Sequence, residues 1–216
     1  MKQKLFYTTE GKIFIAGALL SLLLLMVIAY FVIVDFEIAK TLGVVFLAHA
    51  FGGRAAGIGL CIINDFGATS TILYNFYLEV LIVCYTYSIF VLTANNYIRV
   101  AWVTNFMKKL SAKAVEQKEK IHSFGWIGIF LFVMLPLPAT GPVVGSVIGY
   151  MLRIHLAKNF SATASGTLAA IIVWFYCFDF LEDKLHVIQY VFAAIVIIVV
   201  ITHYKAIKNF LFSKKN

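Results

Sequence analysis

From Ile13 to Val34 the chain carries no charged side chain. As a helix that run is long enough to cross the hydrocarbon core of a bilayer, which takes about 20 apolar residues. The remainder of the sequence could not shield it from water. Of 216 residues 62% are hydrophobic and only 13% are charged, against about 25% in a typical soluble domain, so too few charged groups exist to cover an apolar interior of this size. The chain therefore reads as a membrane protein, and soluble enzymes and nucleic-acid modules are poor readings despite the net charge of +8. Lys2, Lys4 and Lys12 precede the first run, which is too long for a signal-peptide core and lacks a small-residue cleavage site, so a retained first span is expected. Cys61, Cys84 and Cys177 stand apart in apolar stretches with no C-x-x-C spacing, which argues against a disulfide frame, a zinc site or a redox pair.

Four segments read plainly as spans: 13–34, 70–98, 161–179 and 186–203. Two others are apolar but interrupted. Segment 41–64 contains Gly52-Gly53-Arg54, and segment 125–152 carries Pro136, Pro138 and Pro142. Proline removes a backbone donor and clashes with the preceding turn, so this cluster breaks a helix rather than kinking it. Each interrupted segment is expected to be a helical hairpin that enters and leaves by one face. The fold class is then an all-α membrane protein in one domain: four transmembrane helices plus two re-entrant helical hairpins, arranged as an inverted repeat, a common transporter plan.

The charges fit that topology. The chain ends, 99–120 and 153–158 would share one face, with Arg99, Lys108, Lys109, Lys113, Lys118 and Lys120 in the middle stretch alone and Glu10, Glu116 and Glu119 as the acids. Asp35, Glu37, Asp65, Asp179, Glu182 and Asp183 fall on the opposite face with Lys40 and Lys184. Basic loops stay inside, which predicts a multi-pass protein of the cell inner membrane with both termini cytoplasmic. In segment 105–123, Met107, Leu110, Ala114 and Ile121 recur at helical spacing opposite lysines, which predicts an interfacial helix.

The chemistry-bearing residues sit at the two breaks. Thr140, Gly141 and Pro142 suit the start of a returning half-helix, whose unpaired N–H groups and positive dipole end favour an anion. Gly141, Gly145 and Gly149 lie four apart, and Ala162, Gly166 and Ala170 on the next span are expected to face them. Arg54, just after Gly53, is costly inside a membrane and marks either a site for a phosphate or carboxylate or an ion pair. Glu79 is the carboxylate well inside a span, and with Asn75, Thr86 and Thr93 it forms a polar stripe. It is expected to pair with Arg54, to couple protons or to attract a cation. His49, one turn before the first break, is a candidate proton relay. Tyr74, Phe76, Tyr77, Tyr85 and Tyr87 are candidates for a cation cage. Asp179-Phe-Leu-Glu-Asp183 is one short acidic cluster without a second partner, so no metal, no cofactor and no enzymatic activity are expected.

Pro136-Leu-Pro-Ala-Thr-Gly-Pro142 resembles the P-L-P-G-T-G-A signature of the small multidrug export protein family, and Arg54 with its small neighbours resembles that family's E-L-R-G-A motif, with Gly53 in the place of the acid. The family is similar in layout to the DedA superfamily of paired re-entrant hairpins, which carries arginines in the second hairpin that this chain lacks. The resemblance covers roughly residues 41–180. It implies a transporter or flippase of an anionic lipid such as undecaprenyl phosphate; the placement of the residues then puts Arg54, Glu79, Gly53, Thr140, Gly141 and Pro142 at the substrate and Glu79 and His49 in proton coupling. The alternative is an exporter of small cationic compounds. Expected partners are a membrane lipid, above all an anionic polyprenyl phosphate, and a second copy of the chain in a homodimer; nucleic acid is not among them.

Overall fold

A computed structural model describes residues 8–95, 97, 101–122, 124–135 and 141–182. These form seven helices and no strand: α1 Thr9–Val34, α2 Phe36–Ile63, α3 Ala68–Ala94, α4 Ala101–His122, α5 Gly125–Met134, α6 Gly141–Met151 and α7 Leu156–Glu182. Four of them, α1, α2, α3 and α7 through Phe178, are long and apolar enough to cross a membrane. Three coincide with expected spans 13–34, 70–98 and 161–179. The expected span 186–203 lies outside the described residues, as does the segment 136–140 with Pro136, Pro138 and Thr140.

Local chemistry sets the helix ends. The Thr8 hydroxyl accepts from the Gly11 amide at 3.0 Å and caps α1. Asp35 closes α1 through its own amide and opens α2 by accepting from the amides of Glu37 and Ile38 at 3.1 and 3.2 Å. One polar residue thus forms the whole joint. Asp65 and Gly67 turn the chain into α3 with φ of 51° and 72°.

The helix α2 is broken at Gly53, whose φ of 75° and ψ of −172° belong to glycine alone. A Cβ on Gly57 would come within 3.2 Å of the His49 Cβ. Eight residues of straight helix would separate them by about 12 Å. The second limb of α2 therefore lies back against the first. The α5–α6 pair does the same: a Cβ on Gly145 would run into Val133 and lie 3.7 Å from Ile129.

Two apolar clusters meet on α3. Leu24 of α1, Val45 and Cys61 of α2, and Leu78 and Leu81 of α3 form the first. In the second, Tyr87, Phe90 and Val91 of α3 pack with Met107, Leu110 and Ala114 of α4, Ile129, Phe132 and Val133 of α5, Val144, Val147 and Ile148 of α6, and Ala162 of α7. Met107, Leu110 and Ala114 of the stripe foreseen on 105–123 thus pack against protein. Outer positions such as Leu19, Leu25, Ile33 and Phe51 are exposed, as lipid-facing surface requires.

The glycine row departs from expectation. Gly141 faces Arg54, Gly145 faces α5, and Gly149 faces Asn159 of α7. Gly166 also packs on α5, where a Cβ would lie 2.6 Å from the Phe130 carbonyl oxygen. Successive glycines four apart drift around a helix axis at 3.6 residues per turn, so one row serves three neighbours instead of one.

Candidate functional site

Arg54 is the first residue after the Gly53 break, and it is buried at 8% exposure. Its Nε lies 3.3 Å from Glu79 Oε1 and its Nη1 donates to the Val133 carbonyl of α5 at 3.4 Å. Its Nη2 sits 2.7 Å from where a Cβ on Gly141 would stand. Only a residue without a side chain lets the start of α6 come this close to the guanidinium. Four elements thus meet at one cation: the second limb of α2, which carries it, α3, α5 and α6.

Glu79 is buried to a similar degree. Besides Arg54 it faces His49, whose Nε2 is 3.6 Å from Glu79 Oε1, too far for a hydrogen bond. The other ring nitrogen, Nδ1, is 2.9 Å from Asn75 Oδ1. Asn75 is held by α3 itself, donating to the Thr71 carbonyl at 2.9 Å and to Cys61 Sγ at 3.5 Å. His49, Asn75, Thr71 and Cys61 are all fully enclosed.

A cavity of about 120 Å³ opens on this group, lined by His49, Gly53, Arg54, Glu79, Pro142 and Val143 among others. A second, of about 40 Å³, lies on the other side of Glu79 between α3 and α7. It is lined by Phe76, Val83, Cys84, Phe160, Thr163 and Thr167. The buried Thr163 hydroxyl there has no hydrogen-bond partner among the described residues.

Of the residues expected at the substrate, Arg54, Glu79, Gly53, Gly141 and Pro142 come together, and His49 joins them; Thr140 lies outside the described residues. The stripe on α3 divides. Asn75 and Glu79 face the site, whereas the hydroxyls of Thr86 and Thr93 donate to the carbonyls of Ile82 and Ile89 on their own helix at 2.6 and 2.7 Å. The tyrosines among the cage candidates are engaged elsewhere, and Phe76 lines the smaller cavity. Tyr74 donates to the Leu42 carbonyl, Tyr77 to that of Leu20, Tyr85 pairs with Ser21, and Tyr87 packs on Tyr150 and Phe160. Sequence reasoning had seen Asn75 only as part of a stripe; the four-residue spacing to Glu79 was its signal. Among the described residues no group of three or more His, Cys, Asp or Glu is placed to hold a metal ion.

A family profile described as "Putative small multi-drug export protein" matches residues 54–173, more than half of the chain. The chain belongs to that family. The match begins at Arg54 and takes in Glu79, Gly141 and Pro142. No curated protein and no solved structure gives a significant match. Together with four candidate spans, membership makes this a multi-pass membrane protein of a transport family.

Proposed function

We propose that the protein moves a lipid with an anionic phosphate headgroup, such as undecaprenyl phosphate, across the cell inner membrane. The observation that carries this reading is the shared cavity wall: the buried Arg54 guanidinium stands beside the first turn of α6. A helix start offers unpaired N–H groups and a positive dipole end, and an arginine adds a planar, two-pronged donor, so the pair suits a phosphate. A cavity of about 120 Å³ has headgroup dimensions, and the acyl or prenyl tail would remain in lipid. The protein acts by binding and release, without breaking a bond.

In this reading the doubled-back α2 and α5–α6 are re-entrant hairpins of an inverted repeat, with both termini and residues 99–120 cytoplasmic and 179–184 external. Cysteines placed at Lys113 and Asp183, in a chain freed of native thiols, should react with an impermeant reagent from opposite faces. Reaction of both from outside would overturn the topology.

Glu79 neutralises Arg54 at rest and, with His49, couples proton movement to the headgroup. The test is lipid binding by native mass spectrometry on purified protein. The double variant Arg54→Gln/Glu79→Gln keeps the buried charge balanced, and it should bind undecaprenyl phosphate at least tenfold more weakly than wild type. Unchanged affinity would remove Arg54 from the site. The family description names multi-drug export, and a second reading is an exporter of small cationic compounds; export that fails on Glu79→Gln but survives loss of Arg54 would establish it instead.

A further inference from the structure

The hydrogen bonds around Asn75 fix more than its own position. A carbonyl oxygen only accepts, so the bond to the Thr71 carbonyl identifies the Asn75 atom facing it as the amide nitrogen. The other terminal atom, facing His49, is then the oxygen, and it needs a donor. His49 Nδ1 therefore carries a hydrogen. In a neutral imidazole the second nitrogen is then a bare lone pair. That nitrogen, Nε2, points at Glu79 Oε1 from 3.6 Å, has no hydrogen-bond partner among the described residues, and is buried. Two lone pairs facing each other in a site poor in water repel. A proton between them removes the repulsion and supplies the missing bond.

We infer that His49 and Glu79 form a proton-binding site whose tautomer is set by Asn75, and that the bound proton gives the headgroup cavity its net positive charge. Among the described residues Glu79 from α3 faces His49, Arg54 from the second limb of α2 pairs with Glu79 and shares the cavity wall, and Cys61 of that limb is bonded to Asn75. Glu79 Oε1 already faces the Arg54 guanidinium, and His49 Nε2 is the buried atom without a partner, so the proton is placed on His49 Nε2, taken from bulk water with no bond in the substrate changed. With His49 neutral, Arg54 and Glu79 sum to zero. With His49 protonated, the three sum to one positive charge around the cavity they line. An anionic headgroup then enters together with one proton, and release of either weakens the hold on the other. Asn75 is a positioning residue: it touches no substrate and acts through the imidazole. The coupling part rests on the anion reading above, while the proton site does not.

The test uses full-length protein in detergent with ¹⁵N-labelled histidine, His49→Gln supplying the assignment. Long-range ¹H–¹⁵N spectra across a pH series should show His49 protonated at Nδ1 throughout and taking its second proton at Nε2. Asn75→Leu should lose the fixed tautomer, and Asn75→Asp, which still accepts from Nδ1, should keep it. A neutral His49 protonated at Nε2 in the wild type would overturn the proposal. Undecaprenyl phosphate binding should weaken by about tenfold per pH unit once His49 loses its proton, the slope of one coupled proton. Binding that does not change with pH would overturn the coupling while leaving the anion reading intact. No binding at any pH, with the predicted histidine spectrum present, would overturn the anion reading while leaving the proton site.

Discussion

The two hairpins make the same joint from different materials. In each, a buried asparagine of the following span lies against a glycine of the returning limb: Asn75 against Gly57, and Asn159 against Gly149. Each asparagine also donates to a backbone carbonyl, Thr71 in the first case and Ser146 in the second, the latter at 2.8 Å. The difference lies in the oxygen. That of Asn75 receives His49, whereas Asn159 Oδ1 is buried with no partner among the described residues. The first hairpin contributes Arg54 and His49 to the site, and the second contributes backbone and close approach through Gly141 and Pro142. One joint carries ionisable groups and the other does not, so the charge and the backbone that approaches it come from different hairpins.

The largest effect should come from separating that charge from its counterion. Arg54→Ala leaves Glu79 buried without its partner, which typically costs about 3–5 kcal/mol. Adding Glu79→Gln should recover more than half of the loss in thermal or denaturant unfolding. If the two effects simply add, the residues act independently and the pair is not the organising contact.

Glycine substitutions sharpen the comparison directly. A Cβ at Gly57 would overlap the Asn75 oxygen, and one at Gly149 would overlap the Asn159 amide. Overpacking of this kind costs about 1–3 kcal/mol, so Gly57→Ala and Gly149→Ala should lower stability by similar amounts. Only Gly57→Ala should also change the pH dependence of headgroup binding, since only it disturbs the imidazole. Equal changes in binding from both would mean the second joint is part of the site as well. At the break itself, Gly53→Ala must hold a conformation open to glycine, at a cost of about 1–3 kcal/mol read in the same unfolding experiment.

The breaks were legible in the sequence because glycine and proline act on the backbone locally. Gly52-Gly53 and the interrupted run around Pro142 needed no tertiary information to be recognised. The pairing of Arg54 with Glu79 was half legible: each is conspicuous alone in an apolar segment, but their separation of 3.3 Å depends on how α2 folds back toward α3. The orientation of the Asn75 amide was not legible at all, because it is dictated by the Thr71 carbonyl and by Cys61, fourteen residues away on another helix. The stripe on α4 shows the opposite case. Met107, Leu110 and Ala114 lie against protein at the expected spacing, and periodicity reports that a face is covered and not what covers it.

The smallest expected effect concerns the two cavities beside Glu79. The one toward Arg54 has charged side chains in its wall and is about 120 Å³; the one toward α7 is about 40 Å³ and mostly apolar, with the orphaned Thr163 hydroxyl in its wall. A buried hydroxyl without a partner is penalised by about 1–3 kcal/mol relative to one that is bonded. Thr163→Val keeps the shape and removes the hydroxyl, so a dry cavity predicts a protein equally stable or more stable by up to about 1 kcal/mol, with lipid binding unchanged. Space of this size also admits water, which needs two or more polar partners to stay, and Thr163, Thr167 and Glu79 could provide them. A loss of stability in Thr163→Val would show that the hydroxyl is bonded to such a water. A loss of pH-dependent headgroup binding with it would mean that Glu79 is reached by protons from the α7 side, and that the division between a chemical half and a structural half does not extend to α7.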